Sequence, residues 1–293
     1  MLSFFDAIVL GAVQGITELF PISSLGHSVI LPGLLGWHIN EGANDFLTFL
    51  VATHFATALV LLGVYWRDWV RIVRGLFRSL AAREISPTDS DARLGWLLVI
   101  ATIPAGLAGI LFQTQLQNFF IAPQNAAFFL ILNGFLLFAA ERLRRRRANR
   151  AGAEATTVSA TWLADRRIAS ELSWWQSLKI GFLQIIALIP GFSRTGSTLS
   201  GGLLVGLSHE DAMRFSFLLA TPIIGGAALL KLPSLFASGN GTMIEIAFVG
   251  ALAAAIAAYF SAKFLARYFK TKTLVPFAVY CVIVGTASLL ILR

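Results

Sequence analysis

Two short stretches of this sequence hold polar and charged side chains that could bind an anion such as phosphate. The first stretch combines an amide, a carboxylate, two hydroxyls and an imidazole: Gln14, Glu18, Ser23, Ser24 and His27. The second stretch combines hydroxyls with a guanidinium: Ser193, Arg194, Thr195 and Thr198. A guanidinium matches phosphate oxygens with a planar fork, and a hydroxyl beside a base can act as a nucleophile. These residue types favour a site for an anionic group such as phosphate.

Each stretch surrounds a proline that interrupts an apolar segment. Pro21 interrupts residues 8–36, and Pro190 interrupts residues 180–207. Proline disfavours helix at the preceding residue and has no backbone N–H to donate. Each segment therefore divides into two pieces that are too short to cross a bilayer, and we predict two re-entrant helix–break–helix hairpins. Broken backbone at that depth must be buried in protein or line a cavity.

The hairpins should place several of these side chains around one point. Gln14 and Glu18 are four residues apart and share a helix face, while Ser23 or Ser24 is placed to cap the next helix. Two helix N-termini meeting near the midplane would form an anion-binding site. Arg194 would add a cation beside it.

The structural alternative for each residue is a satisfied buried group. Glu18 or His27 alone could be hydrogen-bonded core residues, and His54 is interpreted as a helix–helix hydrogen bond. However, apart from acidic residues near segment ends, the charged residues inside the apolar segments are Glu18 and Arg194. Each of them lies beside a helix break. Charge inside a membrane is costly and usually functional, so the combination favours a site.

The composition predicts an all-α polytopic membrane protein. Of the 293 residues, 57% are hydrophobic and 13% charged, against roughly 25% charged in a soluble domain. Crossing a hydrocarbon core of about 30 Å takes roughly 20 helical residues. The long apolar runs are continuous rather than alternating, which excludes a barrel: Phe46–Trp66, Leu94–Phe112, Phe119–Ala140, Ile246–Ala262 and Leu274–Leu292, with a shorter one around Phe215–Leu230.

The net charge of +8 is explained by membrane topology rather than by nucleic-acid binding. Basic residues cluster in residues 67–93, 142–179 and 263–272, between apolar runs, as the positive-inside rule requires for cytoplasmic loops. The uncharged loops Gln113–Asn125 and Leu232–Thr242 would then lie outside. No nucleic-acid partner is expected.

The two halves of the chain resemble each other. Gly11, Gln14, Pro21, Ser24 and Gly26 recur, within one residue of spacing, as Gly181, Gln184, Pro190, Ser193 and Gly196. We predict a single integral membrane domain over residues 1–293, in which 1–140 and 179–293 are inverted repeats. Each repeat has a re-entrant hairpin plus three transmembrane helices, and residues 141–178 form a basic cytoplasmic linker.

At these motifs the sequence resembles the undecaprenyl-diphosphate phosphatase family, also known for bacitracin resistance. The strings that carry the resemblance are Glu18-Leu-Phe-Pro-Ile-Ser-Ser-Leu-Gly-His27, Pro190-Gly-Phe-Ser-Arg-Thr-Gly196 and Arg214-Phe-Ser-Phe-Leu-Leu-Ala220. The resemblance implies hydrolysis of a polyprenyl diphosphate, the carrier lipid of cell-wall synthesis, to the monophosphate and phosphate. It also implies a multi-pass protein of the bacterial inner membrane, with a site open to the periplasm, which could act as a homodimer.

The resemblance also implies roles for individual residues. Glu18 would be a metal ligand or general base, Ser24 and His27 the nucleophile and its acid–base partner in either order, and Arg194 the diphosphate clamp. The remaining substrate-binding positions are Gln14, Ser23, Ser193, Thr195 and Thr198. Mg²⁺ or Ca²⁺ is the expected cofactor, since these ions accept few protein oxygens and complete their shell with water and substrate. Gln14 departs from the family pattern, because it stands where a second acid is expected.

Two alternatives belong to other classes. A lipid phosphatase of the acid-phosphatase type would need a histidine six residues after Arg194, where this chain has Ser200. A transporter or flippase for an anionic lipid is compatible with inverted repeats and broken helices. Phosphate release in detergent, where vectorial transport cannot be scored, discriminates hydrolysis from transport.

Overall fold

The computed structural model describes residues 2–37, 44–112, 122–151, 161–237 and 241–292, and these ranges contain helices and no β-strand. The helices in chain order are α1 Phe4–Leu19, α2 Ser24–Leu35, α3 Asn44–Val64, α4 Trp66–Ala82, α5 Ser90–Leu111, α6 Pro123–Ala151, α7 Thr161–Glu171, α8 Trp174–Ile185, α9 Arg194–Val205, α10 His209–Ala237, α11 Gly241–Tyr268 and α12 Val275–Ile291. A short 3₁₀ turn, Ile186–Leu188, follows α8.

Five of these helices are long and apolar enough to cross a bilayer. Their candidate spans are Phe46–Val64, Ser90–Leu111, Pro123–Arg147, His209–Lys231 and Gly241–Tyr268. The last predicted span forms α12, which is apolar but has 17 residues. The segment predicted as the shortest belongs to α10, which has 29 residues. The predicted all-α polytopic membrane class is confirmed.

The two proline-interrupted segments are broken where predicted. The helix α1 has 16 residues, and α2, α8 and α9 have 12 each. At about 1.5 Å per residue these helices are roughly 24 Å and 18 Å long, shorter than the hydrocarbon core. Helices α1 and α8 each begin with a capping box, at Ser3 and Ser173 respectively.

Small residues let helices from the two halves approach closely. A Cβ on Gly11 or Gly15 of α1 would lie 2.2 Å from a carbonyl oxygen of α11. A Cβ on Gly181 of α8 would lie 2.5 Å from the carbonyl oxygen of Ala101 on α5. Such contacts are typical of helix packing in membranes. Helices α3 and α10 also pack together, as do α6 and α12. The inverted repeat stays a prediction, which this matched pairing favours.

The described residues of the predicted basic linker, 141–178, contain helical structure, because α6 continues to Ala151 and α7 begins at Thr161. Asp165 of α7 accepts hydrogen bonds from Arg71 of α4, at 2.7 Å, and from Arg214 of α10, at 2.6 Å. Arg167 of α7 donates to Asp211 of α10 at 2.7 Å. These ion pairs fix α4 and α7 against the ends of the long helices.

Candidate active site

In the first break, Ser23 lies just before α2 and Ser24 is the first residue of that helix. Ser23 has φ of +69°, a value that residues with a Cβ rarely adopt. In this conformation its Oγ accepts a hydrogen bond from the Gly26 N–H at 3.2 Å and caps α2. Ser23 is therefore the capping residue, and Ser24 begins the helix with its hydroxyl free for another partner. Backbone strain of this kind is concentrated at functional sites.

The second break is built in the same way. Gly191 has φ of +101°, and a Cβ there would lie 2.3 Å from the carbonyl oxygen of Ala126, so glycine is required. Ser193 caps α9, since its Oγ accepts from the Gly196 N–H at 3.0 Å. Arg194, the next residue, is thereby fixed at the first position of α9.

Hydrogen bonds join the two breaks directly. Asn133 of α6 donates to the Pro21 carbonyl at 3.0 Å and accepts from the Ser193 N–H at 3.1 Å. The Thr195 hydroxyl donates to the Glu18 carbonyl at 2.9 Å. These bonds satisfy backbone groups that each break leaves without a helical partner. Ser193 and Thr195, expected to bind substrate, here hold the two breaks together.

The carboxylate of Glu18 lies at the centre of the resulting cluster. Its Oε1 accepts from Arg194 Nη2 at 2.9 Å, whereas its Oε2 accepts from Ser24 Oγ at 2.6 Å and from Gln14 Nε2 at 3.1 Å. Only 6% of Glu18 is exposed. The structure therefore brings three of the predicted residues, from α1, α2 and α9, to the buried carboxylate of a fourth, Glu18.

A fifth residue of the cluster is His54 of α3. It contacts the Glu18 carboxylate, a role that its sequence interpretation did not include. Its Nε2 lies 3.3 Å from Glu18 Oε2, and its Nδ1 donates to the Leu50 carbonyl at 2.7 Å. Both ring nitrogens thus face acceptors. The interpretation of His54 as a helix–helix contact is correct, but the contact is to Glu18. The signal available in the sequence was an imidazole in the middle of an apolar span.

The guanidinium of Arg194 retains unused donors. Its Nη1 donates to the Ser216 carbonyl at 3.3 Å, and its Nε has no partner within the described part of the chain. Thr198 contacts the residues on either side of this guanidinium contact. Its hydroxyl donates a hydrogen bond to the Arg194 carbonyl at 3.0 Å and lies 2.5 Å from Ser216 Oγ. Thr198, expected to bind substrate, is directed at protein groups.

His27 is placed away from the partners that we predicted for it. Its Nδ1 donates to the Ser23 carbonyl at 2.6 Å, and its Nε2 lies 2.9 Å from the Tyr280 hydroxyl, on which the ring stacks. The expected Ser24–His27 hydrogen bond is not formed, because the Ser24 hydroxyl donates to Glu18. One turn of α2 separates the two side chains and directs them to different neighbours.

The donor set fits a cation that binds mainly through substrate. In the described ranges no three His, Cys, Asp or Glu side chains lie together as metal ligands. Glu18 is the carboxylate of the site, and Gln14 Oε1 is a buried oxygen with no hydrogen bond in the described structure. One carboxylate and one amide oxygen are compatible with Mg²⁺ or Ca²⁺ whose other ligands are water and phosphate oxygens.

Comparison with known proteins gives matches over nearly the whole chain. The family model described as bacitracin resistance protein BacA matches residues 7–287. An undecaprenyl-diphosphatase of Mycolicibacterium paratuberculosis is 46% identical, with 98% of this chain and 97% of that protein covered. An undecaprenyl-diphosphatase 2 of Frankia alni is 42% identical, with 97% and 96% covered. An undecaprenyl-diphosphatase of Acidiphilium cryptum is also 42% identical, with 98% and 97% covered.

Proposed function

The chain belongs to the bacitracin resistance protein BacA family, and from that premise we propose that it hydrolyses undecaprenyl diphosphate to undecaprenyl phosphate and inorganic phosphate. Relatives over 40% identical are named undecaprenyl-diphosphatases. The observation that carries the proposal is the Glu18 carboxylate, which accepts from the Ser24 hydroxyl at 2.6 Å and from Arg194 at 2.9 Å. A base, a hydroxyl and a phosphate-binding cation thus share one point.

The surroundings of this point suit a lipid diphosphate. The breaks lie among helices long enough to span a bilayer, so the prenyl chain can stay in the hydrocarbon while the diphosphate reaches the polar centre. The first turns of α2 and α9 direct N–H groups and positive dipole ends towards it. Arg194 and His54 are the partly accessible groups, with 12% and 18% of their side chains exposed, against 5% for Glu18. The diphosphate therefore meets the guanidinium and imidazole first.

Ser24 is the nucleophile that this geometry favours. Glu18 takes the proton from Ser24 Oγ, and the oxygen attacks the terminal phosphorus. The bond from that phosphorus to the bridging oxygen breaks, and undecaprenyl phosphate leaves. Water then attacks the phosphorus of the phosphoserine, the bond from Ser24 Oγ to phosphorus breaks, and the proton held by Glu18 returns to Ser24 Oγ as phosphate is released. A carboxylate at hydrogen-bond distance supplies the adjacent base that a serine nucleophile needs. His27, the alternative nucleophile, lies beside Tyr280 instead.

Three neighbours keep Glu18 and the phosphates in place during these steps. Gln14 and His54 contact Glu18 Oε2 at 3.1 Å and 3.3 Å, and Arg194 stabilises charge that develops on the phosphoryl oxygens. A Mg²⁺ or Ca²⁺ ion would be held by Glu18, with Gln14 Oε1 as the second oxygen. When bound, such an ion supplies charge neutralisation for the diphosphate and its leaving group.

The topology that we propose places this activity in cell-wall lipid recycling. The protein is a multi-pass membrane protein; we assign it to the bacterial inner membrane, with residues 141–178 in the cytoplasm and the site open to the periplasm. Release of the monophosphate there returns the carrier lipid to peptidoglycan synthesis. The homodimer expected from the resemblance also stays a prediction.

The experiment that tests this function is phosphate release from undecaprenyl diphosphate by the purified protein in detergent. Hydrolysis predicts stoichiometric phosphate and undecaprenyl phosphate. The alternative drawn from the broken helices is a pure transporter or flippase. Such a protein yields neither product, because it moves the lipid without breaking a bond. Absence of product with a folded, metal-supplemented protein would contradict the proposal.

A further inference from the structure

A cleft between the end of α6 and the start of α12 lies outside the Glu18 cluster. Its volume is about 570 Å³, and its lining is formed by Phe135, Phe138, Glu141, Arg142, Arg145 and Val275. None of these residues takes part in the hydrogen bonds of the Glu18 site. The cleft is therefore separate from the candidate active site.

The residues of α6 that line the cleft change along the helix from aromatic to basic. Phe135, Phe138, Arg142 and Arg145 are spaced by three, four and three residues, so they form one stripe on α6. At about 1.5 Å per residue, the stripe is roughly 15 Å long. Its aromatic half belongs to the apolar span, and 57% of Phe135 is exposed. Its basic half begins where the span reaches the run of arginines that ends it.

The basic half carries uncompensated positive charge. Glu141 is buried and already paired, with His209 at 2.8 Å, Arg145 at 3.2 Å and Arg144 at 3.3 Å. Arg142 forms no ion pair within the described part of the chain. The two arginines and one glutamate that line the cleft leave a local charge of 2 − 1 = +1. An anion of matching charge would complete the cleft.

Glu141 also fixes the second wall. Its Oε2 lies 3.5 Å from the N–H of Leu274, the residue before α12. This contact ties the end of α6 to the start of α12 and keeps Val275 beside the phenylalanines. The wall is therefore part of the packed fold rather than a mobile loop.

We propose that this cleft binds an anionic phospholipid of the surrounding bilayer. Its phosphate lies between Arg142 and Arg145, and the upper part of an acyl chain lies along Phe135 and Phe138. An aromatic stripe followed by arginines fits a ligand in which an acyl chain is joined to a phosphate. Basic pockets between transmembrane helices bind such headgroups, and each arginine near an anionic surface contributes about a fivefold gain in affinity.

Native mass spectrometry of the full-length protein in detergent tests the proposal. The protein is titrated with dioleoyl-phosphatidylglycerol and, separately, with dioleoyl-phosphatidylcholine. We expect one phosphatidylglycerol to be retained in preference to phosphatidylcholine. The double substitution R142Q with R145Q should weaken that binding by roughly thirtyfold, the product of two arginine contributions. Phosphate release by the variant should stay at the wild-type level, which shows that it is folded.

The matched control removes two arginines elsewhere. Arg67 and Arg74 are exposed residues of α4 that do not line the cleft, so R67Q with R74Q should leave the retained phosphatidylglycerol unchanged. Equal retention of both lipids by the wild type would overturn the proposal, and so would an equal loss in the two double variants. A dimer peak that disappears only in the R142Q and R145Q variant, without any retained lipid, would assign the cleft to a second copy of the chain and overturn it too.

Discussion

Replacement of Arg194 by lysine separates a guanidinium fork from a simple positive charge at the site. A guanidinium carries five N–H groups. The described structure uses two of them, one on the Glu18 carboxylate and one on the Ser216 carbonyl, which leaves three. A lysine ammonium has three N–H groups, and satisfying the same two acceptors would leave one. Arg194→Lys thus loses two of the three donors that can face phosphate oxygens.

The expected cost follows from what such donors contribute. Removing one preorganised donor to developing negative charge typically lowers kcat by about 10²- to 10³-fold. We therefore expect Arg194→Lys to lose at least about 10²-fold in kcat. Arg194→Ala should lose more, and it also leaves the buried Glu18 carboxylate without its cation, at a cost of about 3–5 kcal/mol in stability. The lysine variant, which keeps the charge, is for that reason the informative one.

The assay is phosphate release from undecaprenyl diphosphate, with the rate divided by the amount of folded protein. A matched control is Arg214→Lys, because Arg214 is a buried arginine that also pairs with a carboxylate, that of Asp165. We expect the control to lower the melting temperature while kcat per folded molecule is retained. If Arg194→Lys turned over substrate at close to the wild-type rate, the fork geometry would be irrelevant and the reasoning would be refuted.

Three further predictions concern the neighbours of Glu18 and the topology. His54→Gln should lower kcat by about tenfold to a hundredfold, as expected when an orienting hydrogen bond is lost. An equal loss in His209→Gln, whose ring contacts the α6 end, would contradict this. Gln14→Glu should lower the Mg²⁺ or Ca²⁺ concentration needed, and calorimetry without substrate should detect cation binding that the wild type lacks; an unchanged requirement would contradict it. Ser170→Cys should react with a membrane-impermeant maleimide only after permeabilisation, since labelling in intact cells would put residues 141–178 outside.

Much of the site could be predicted because its signals are local. Pro21 and Pro190 determine where the helices break, since proline acts on its own backbone and on the preceding residue. The cap of α2 is expected at Ser23 or Ser24, and Ser23 forms it, while Ser193 caps α9 in the same way. Glu18 and Arg194 are charges in an apolar setting, where each needs the other. Their contact at 2.9 Å follows from that need.

The remaining partners depend on packing that no local pattern specifies. His54 and Asn133 reach the breaks because α3 and α6 pack against them, and the sequence separations are 36 residues for Glu18 with His54 and 112 for Pro21 with Asn133. Ser24 and His27 contact different groups in the described structure for a related reason. Helical spacing predicts only that two side chains share a face, whereas the neighbouring helices determine which groups they contact.

The helices of the basic region were missed because charge dominated their interpretation. Residues 67–93 and 141–178 were explained as cytoplasmic loops, yet they contain α4, α7 and the end of α6. The amphipathic pattern of α4 is present in the sequence. The pairing of Asp165 with Arg71 and Arg214 cannot be predicted from the sequence, since ion pairs between distant segments depend on the tertiary fold.

The central claim, that the Glu18 carboxylate is the base of a phosphatase site, is tested most directly by Glu18→Gln. The measurement is phosphate release from undecaprenyl diphosphate per folded protein, beside Glu141→Gln as control, since Glu141 is equally buried and paired with a histidine and arginines. The glutamine at position 18 can still bond Arg194 but cannot take a proton from Ser24. We predict that Glu18→Gln loses at least about 10³-fold in kcat, within the range seen for loss of a general base, whereas Glu141→Gln keeps its turnover. Wild-type turnover by Glu18→Gln would contradict the account.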